Sequence, residues 1–415
     1  MTAYILTIGD EILIGQITDT NSAWMAQQLN LQGIRIVGKT SVGDVHGEIV
    51  NTIDQALHAA DLVLMTGGLG ATKDDITKKA IADYFGSQMI WHQETYNRME
   101  KIFQKYGRGV SELNKNSCFM PSNAQILNND RGIAPAMWFE ESGKVLVSMP
   151  GVPYEMQHLM TARVLPKLKA SFPMSPIVHR TILTAGEGET MLAEKLSDYE
   201  DKLPENVKLA YLPSLGTVRL RLTARGTDEA FLNQQVDALK AEILPIIDYA
   251  VVGYDDITMP EVIGNMVKER GLKIGFAESC TGGYMSHLIT SVAGSSEYFE
   301  GTIVAYAYDL KEKLLNVQTE TLNTEGAVSE QCVKEMVAGA LVTLNVDVAV
   351  AVSGIAGPGG GTTDKPVGTI WLAVGDKNQT LTTKINVDRG RSKNIEFAAN
   401  VGLNLLRKFL LQKEI

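Results

Sequence analysis

Two adjacent residues that could attack a carbonyl, Ser279 and Cys280, lie where the strand-like run KIGFA passes through AESCTGG into the helix-patterned YMSHLIT. A small nucleophile at a strand-to-helix turn gains from free backbone amides and from the positive end of the helix dipole, both of which stabilise a developing oxyanion. The thiol competes because thiolates attack amides readily once their pKa is lowered. Thr281 suits a capping position, and Gly282 and Gly283 would let backbone approach a ligand closely; a plain capped turn is the simpler alternative. A serine hydroxyl needs a base. The segment GTIVAYAYDLKEK places Tyr306 and Lys311 across a strand end and a helix start, from which both side chains could reach one pocket. A lysine desolvated there can lose its proton near neutral pH, with Tyr306 relaying or orienting that proton, although a lysine taken alone is more often a solvated surface residue. The one histidine of this third is His287, on the following helix, so a Ser-His-Asp arrangement is the weaker option.

Downstream, the strand-like DVAVAVSG opens into IAGPGGGTTDKPVG. Main-chain amides of such a loop can wrap a phosphate or ribose, which makes Gly354, Ala356, Gly357, Gly359 and Gly360 candidate substrate contacts; a merely flexible loop is the alternative. No Gly-Lys-Ser/Thr closes the loop, so kinase or ATPase chemistry loses support. A second constellation lies near the start of the chain. GDEILIGQITDTN brings Asp10, Glu11 and Asp19 together, and TGGLGATKDDITKKA adds Asp74 and Asp75 behind Gly67, Gly68, Gly70 and Thr72. Clustered carboxylates at strand ends can hold a divalent cation such as Mg, Mn or Co while glycine amides contact a phosphate, which together suggests pyrophosphate chemistry. The competing reading of Asp74 and Asp75 is acidic charge at a helix N-terminus.

These residues must be positioned by three successive sections. The first alternates strand and helix patterns: Tyr4 to Ile8, a helix through Trp24 and Leu29, Ile34 to Val42, a helix from Ile49 to Ala60, and Leu62 to Met65. That order predicts a parallel sheet with covering helices and a site at the carboxyl ends of its strands. After Pro173 and Pro176 comes a small α+β section with strands Ile177 to Thr184, Lys208 to Leu212 and Val218 to Ala224, a helix within Glu187 to Leu203, and a helix from Asp228 to about Ile246. Thr258 then caps a fresh helix with Pro260 in its first turn, opening another α/β section that ends in a packing helix over Ser392 to Gln412. The boundaries drawn are 1–170, 175–252 and 256–415. The fold class is α/β with a small α+β domain in the middle.

Bulk properties narrow the function. A chain of 415 residues exceeds what one hydrophobic core supports. Its 38 basic against 48 acidic residues give a formal charge of −10 without a Lys/Arg block, which disfavours nucleic acid as the main partner and favours small molecules. Three scattered cysteines suggest neither a disulfide framework nor a thiolate zinc site, so a reducing, cytoplasmic setting is expected. No basic n-region with a long apolar stretch opens the chain, and no apolar run approaches the roughly 18 residues of a membrane span.

The ordered motifs AESCTGG, GSSEYFEGTIVAY, GAVSE, SGIAGPGGG and KPVGTIW resemble the CinA C-terminal family, the nicotinamide-nucleotide amidohydrolases or NMN deamidases. The resemblance implies metal-free hydrolysis of nicotinamide mononucleotide to nicotinate mononucleotide and ammonia, needing no cofactor. It assigns Ser279 as nucleophile, Tyr306 and Lys311 as its activating partners, and an arginine before the last helix as phosphate ligand. VDRGRSKN offers Arg389 or Arg391 for that place, and Arg391 aligns better with the helix. The segment from Ile8 to Ala80, resuming at MPGVPYEM, is similar to the CinA N-terminal domain, related to the molybdopterin-binding fold of the MoaB and MogA type. That similarity implies metal-dependent hydrolysis of ADP-ribose to AMP and ribose 5-phosphate. Ala71 stands where the family shows proline, and NDRGIAPAMWF departs from the usual Gly-Thr-Ala-Pro-Gly form. The middle section resembles the KH-like domain of full-length CinA without the Gly-X-X-Gly clamp of RNA-binding modules, and reads as a spacer and homodimer element. Two rival classes are a nucleotide- or molybdopterin-binding protein acting in competence or DNA-damage responses without turnover, and a molybdenum-cofactor enzyme.

Overall fold

Strand Leu62–Thr66 (LVLMT) is buried along its whole length, as a strand covered on both faces must be. The computed structural model describes residues 1–70, 72, 75–173 and 175–411, and these form two units: Met1–Val178 with Arg225–Glu229, and His179–Ala224 with the chain from Ala230 onward. In the first unit the strand sits inside a six-stranded sheet ordered Arg35–Val42, Thr2–Ile8, Leu62–Thr66, Lys144–Met149, Ala136–Glu141, Gln125–Leu127. Alternation divides its side chains between two cores. Ala3, Ile5, Leu62, Leu64, Val145 and Val147 face helix Thr20–Leu31 and the helical stretch from Pro153, whereas Leu6, Ile8, Val63, Met65 and Leu146 face helices His46–Ala59 and Thr77–Tyr84. The chain leaves Thr2–Ile8 for one sheet neighbour and returns past it to the other, so the order reverses there. At such a switch point the carboxyl ends of the strands diverge and open a crevice.

The expectation of a parallel sheet holds for the direction of five strands and fails for one, Ala136–Glu141. Ala136–Glu141 runs antiparallel to Lys144–Met149, and Gln125–Leu127 antiparallel to Ala136–Glu141. The cause is local: Ser142 and Gly143 both take positive φ, 52° and 75°, the two-residue turn that matches strand twist and returns the chain immediately.

The second unit holds two sheets. One is four-stranded, ordered Val207–Ser214, Thr217–Arg225, Ile177–Ala185, Val251–Tyr254, and carries helices Glu189–Glu200 and Glu229–Ile247. Its last strand was not foreseen, being short, half-buried and at an edge. The other is five-stranded, ordered Phe299–Val304, Ile274–Glu278, Val348–Gly354, Thr369–Gly375, Thr380–Asn386. The first three are parallel, and Thr369–Gly375 runs antiparallel to the neighbours on both its sides. The run VAVAV shows why this sheet is covered twice. Val348, Val350 and Val352 pack with helices Met259–Glu269, Tyr284–Thr290 and Arg391–Leu410, while Ala349 and Ala351 make room on the opposite face for helix Glu330–Thr343. Helix Met259–Glu269 starts at a capping box in which the Thr258 amide and hydroxyl donate to Glu261 at 2.8 and 2.7 Å. Among the described residues no helix is long and apolar enough to cross a membrane.

Candidate active site

Strand Ile274–Glu278 ends in the turn that carries Ser279, whose amide donates to Val352 O at 3.0 Å on the neighbouring strand. Phe299–Val304, on its other side, ends at Ala305 and Tyr306, and helix Tyr308–Leu315 brings Lys311 back over that end. Two adjacent parallel strands thus deliver Lys311 Nζ to within 2.9 Å of Ser279 Oγ, with the lysine 1% and the serine 8% exposed. Nζ also contacts Ala305 O at 2.6 Å and Tyr306 O at 3.3 Å. A neutral amine has two hydrogens and one lone pair. The two carbonyls can take the hydrogens, leaving the lone pair aimed at the serine proton. Burial pushes the Lys311 amine below its ordinary value, and the opposing influences are the thiols of Cys332 and Cys280. Burial holds those thiols up at about 11 and about 12, so they are uncharged near neutrality and supply no counter-ion.

Burial bears on the second candidate nucleophile as well: a thiol held up at about 12 carries almost no thiolate near neutral pH, which disfavours Cys280 as the attacking group. The oxyanion expectation needs amending too. The amides of Gly283, Met285 and Ser286, at the start of helix Tyr284–Thr290, donate to the carboxylate of the fully buried Glu278 at 3.0, 3.2 and 2.9 Å, and Ser286 Oγ donates to it at 2.6 Å. Those donors are taken. Past the nucleophile, the Thr281 amide has no acceptor among the described residues, and the Cys280 amide meets only its own thiol. They are the donors left for an oxyanion. Thr281 is 4% exposed and its hydroxyl also lacks a partner there. Gly283 makes this turn possible with φ of 98°.

Tyr306 departs from its expected role. The residue is 59% exposed and its hydroxyl accepts from Arg391 Nη2 at 3.2 Å; no hydrogen bond joins that hydroxyl to Ser279 or Lys311. The backbone carbonyl of Tyr306, rather than its phenol, meets the lysine. Arg391 opens the last helix and reaches Gly357 O at 2.8 Å, which ties the glycine loop to the rim beside Tyr306. Arg389 turns away and lies 4.9 Å from the Phe397 ring. The geometry therefore separates the two arginines and puts Arg391 on the Ser279 side. Asn394, unnoticed in sequence because an interior helical asparagine carries no signal, fastens the loop: it donates to Ala356 O at 3.1 Å and accepts from the Arg389 amide at 2.8 Å. Gly354 ends its strand, while Gly359 and Gly360 are exposed. No hydrogen bond joins His287 to Ser279.

In the first unit a cavity of about 640 Å³ opens at the switch point, lined by Gly67, Gly68, Gly70, Glu11, Asp19 and Asp75, and also by Asn21, Asp44, Arg131 and Glu155, which the sequence did not single out. Gly68 cannot be replaced without displacement: its φ is 63°, and a Cβ would fall 2.0 Å from Thr77 Oγ1. Asp19 caps helix Thr20–Leu31 through Ser22 N at 2.9 Å. Asp75 accepts from the amides of Gly70 and Thr72 at 2.7 and 2.8 Å and from the Thr72 hydroxyl at 2.5 Å, so that hydroxyl is taken up inside the protein. Asp10 does not line the cavity; its carboxylate accepts from the Asp44 amide at 3.3 Å. Asp74 lies outside the described residues. Among the described residues no group of three or more His, Cys, Asp or Glu side chains is placed to hold a metal ion.

Three family models match the chain in succession: Probable molybdopterin binding domain over residues 4–170, Damage-inducible protein CinA KH domain over 179–253, and CinA C-terminal domain over 256–410. The CinA-like protein of Cytophaga hutchinsonii is 45% identical over 98% of each chain, and that of Flavobacterium psychrophilum 41% identical over 99% of each. The chain belongs to the CinA family. Among solved structures, competence/damage inducible protein CihA from Agrobacterium tumefaciens is 40% identical, covering 37% of this chain and 94% of that one with a TM-score of 0.36. The competence damage-inducible protein A (ComA) from Klebsiella pneumoniae is 32% identical, covering 38% and 100%, also at 0.36.

Proposed function

We propose that the second unit hydrolyses the carboxamide of nicotinamide mononucleotide, giving nicotinate mononucleotide and ammonia. The observation that carries this reading is the 2.9 Å contact between Ser279 Oγ and a buried lysine without a counter-ion. Neutral Lys311 takes the hydroxyl proton as Oγ bonds to the carboxamide carbon, and the electron pair displaced from the carbonyl is held by the amides of Cys280 and Thr281. Collapse expels the amide nitrogen, which receives the proton from Lys311 and leaves as ammonia. Water, deprotonated by the same amine, then opens the ester on Ser279, releasing the carboxylate and restoring the hydroxyl. Arg391, at the rim, meets the substrate phosphate. Arg391→Ala is expected to raise KM for nicotinamide mononucleotide roughly tenfold or more with a smaller loss in kcat. An unchanged KM in steady-state assays would remove the arginine from the site.

A second reading concerns the first unit, whose cavity joins glycine amides to Glu11, Asp19, Asp44, Asp75 and Glu155 with Arg131 as a cationic side chain. A pyrophosphate entering among these carboxylates is repelled unless a cation accompanies it. Metal-dependent hydrolysis of ADP-ribose to AMP and ribose 5-phosphate fits that charge balance, with the metal arriving on the substrate. Turnover is expected to require added Mg²⁺, Mn²⁺ or Co²⁺ and to fall by roughly a hundredfold in Asp75→Ala, which releases the Gly70 and Thr72 amides. Equal turnover in EDTA would refute the metal requirement, and full activity in Asp75→Ala would refute the assigned loop.

A further inference from the structure

One residue joins the two halves of the Ser279 and Lys311 pair, and no step of the proposed hydrolysis uses its side chain. Glu278 ends strand Ile274–Glu278, is fully buried, and directly precedes the nucleophile. Its main chain reaches sideways towards the base: the Ala305 amide donates to Glu278 O at 2.9 Å, and Ala305 O in turn accepts from Lys311 Nζ at 2.6 Å. Its side chain reaches forward, past the turn. Oε2 accepts from the amides of Gly283 and Met285 at 3.0 and 3.2 Å, and Oε1 from the amide and hydroxyl of Ser286 at 2.9 and 2.6 Å. The segment 279–282, which carries the nucleophile and the amides left for the oxyanion, is therefore held at one end by the backbone of Glu278 and at the other by its carboxylate. A capping side chain ordinarily relieves one helix amide; here four neutral donors converge on two oxygens. A carboxylate suits that set because it only accepts, whereas a carboxamide would turn an NH2 group towards one pair of the donors.

We propose that Glu278 is the positioning residue of this site: by tying the start of helix Tyr284–Thr290 to the end of the nucleophile's strand, its carboxylate fixes Ser279 Oγ within reach of Lys311 Nζ and holds the Cys280 and Thr281 amides in place for the oxyanion. The assignment rests on the amidase reading of the Ser279 and Lys311 pair and deepens it. Glu278 takes no proton and acts only through Ser279. The expected sensitivity is large, because a reacting group misplaced by about 1 Å costs on the order of a hundredfold in rate.

The test compares Glu278→Gln, Ser286→Ala and the double variant of the full-length chain by two measurements. One is steady-state ammonia release from nicotinamide mononucleotide. The other is the rate constant for modification of Ser279 by a fluorophosphonate probe, in which Oγ bonds to phosphorus, Lys311 takes the hydroxyl proton and fluoride leaves. Glu278→Gln should lower kcat and the modification rate constant each by about a hundredfold, with KM within about threefold of wild type. Ser286→Ala, which removes one donor and leaves the carboxylate its three amides, should lower both by roughly three- to tenfold. The double variant should be no slower than Glu278→Gln, because both changes act through one contact. The rate constant, unlike the amplitude of modification, does not depend on the fraction of chain that is folded, so lost stability is not mistaken for lost positioning. Should Glu278→Gln fail to fold, Ser286→Ala decides alone. Rates within about twofold of wild type in either folded variant, or effects that multiply in the double variant, would overturn the assignment. If the wild-type chain releases no ammonia while Ser279 is still modified in a Lys311-dependent way, the amidase reading fails and the modification rates still decide the role of Glu278.

Discussion

Ser279→Ala is expected to lower kcat for ammonia release from nicotinamide mononucleotide by roughly a thousandfold or more, whereas Cys280→Ala leaves it within about threefold. The asymmetry follows from proton inventory. The serine hydroxyl has a base 2.9 Å away, while the neighbouring thiol is buried, held up at about 12, and is not among the hydrogen-bond partners of Lys311. Alanine at 280 keeps the backbone amide that the oxyanion needs. Steady-state ammonia assays on both variants decide the matter, and the reverse order of effects would hand the nucleophile's role to the thiol.

The second large effect belongs to Lys311→Met, which keeps the unbranched shape and removes the amine. Activity should fall as far as in Ser279→Ala, and the double variant should be no worse than either single one, because both residues serve a single proton transfer. Stability should move the other way. The folded-state value of Lys311 lies below the ordinary 10.5, so at pH below the folded value the native state must keep a charged amine buried. That cost fades as pH rises through the folded value towards 10.5, where the unfolded chain also loses its proton. The methionine variant should therefore gain more in Tm at about pH 6 than at about pH 10. Wild-type kcat/KM should rise with pH through the same folded value, as a base that must be neutral requires. A stability gain independent of pH, or a rate that falls as pH rises across that range, would mean that the lysine works as a charged group.

Much of this site was legible before any coordinates. Ser279 and Lys311 each stand just past a strand whose apolar run is easy to read, and adjacent parallel strands bring their carboxyl ends together without further information. What could not be read was direction and occupancy. Tyr306 is five residues from Lys311, yet helix Tyr308–Leu315 carries the lysine inward and leaves the phenol on the surface beside Arg391. Glu278 looked like any strand-end carboxylate, but it takes the helix amides that were expected to serve the oxyanion. In the first unit the acidic motifs were visible, while the diversion of Asp19 and Asp75 to backbone amides depends on loop geometry that no spacing encodes. The antiparallel strand was missed because Ser142–Gly143 was not weighed as a two-residue hairpin turn.

The most direct test is ammonia release from nicotinamide mononucleotide by the purified full-length protein in the presence of EDTA. One ammonia per nicotinate mononucleotide formed, at a rate indifferent to the chelator, is the predicted result. No release, or release that stops when metal is withdrawn, would contradict hydrolysis by a serine and an uncharged lysine.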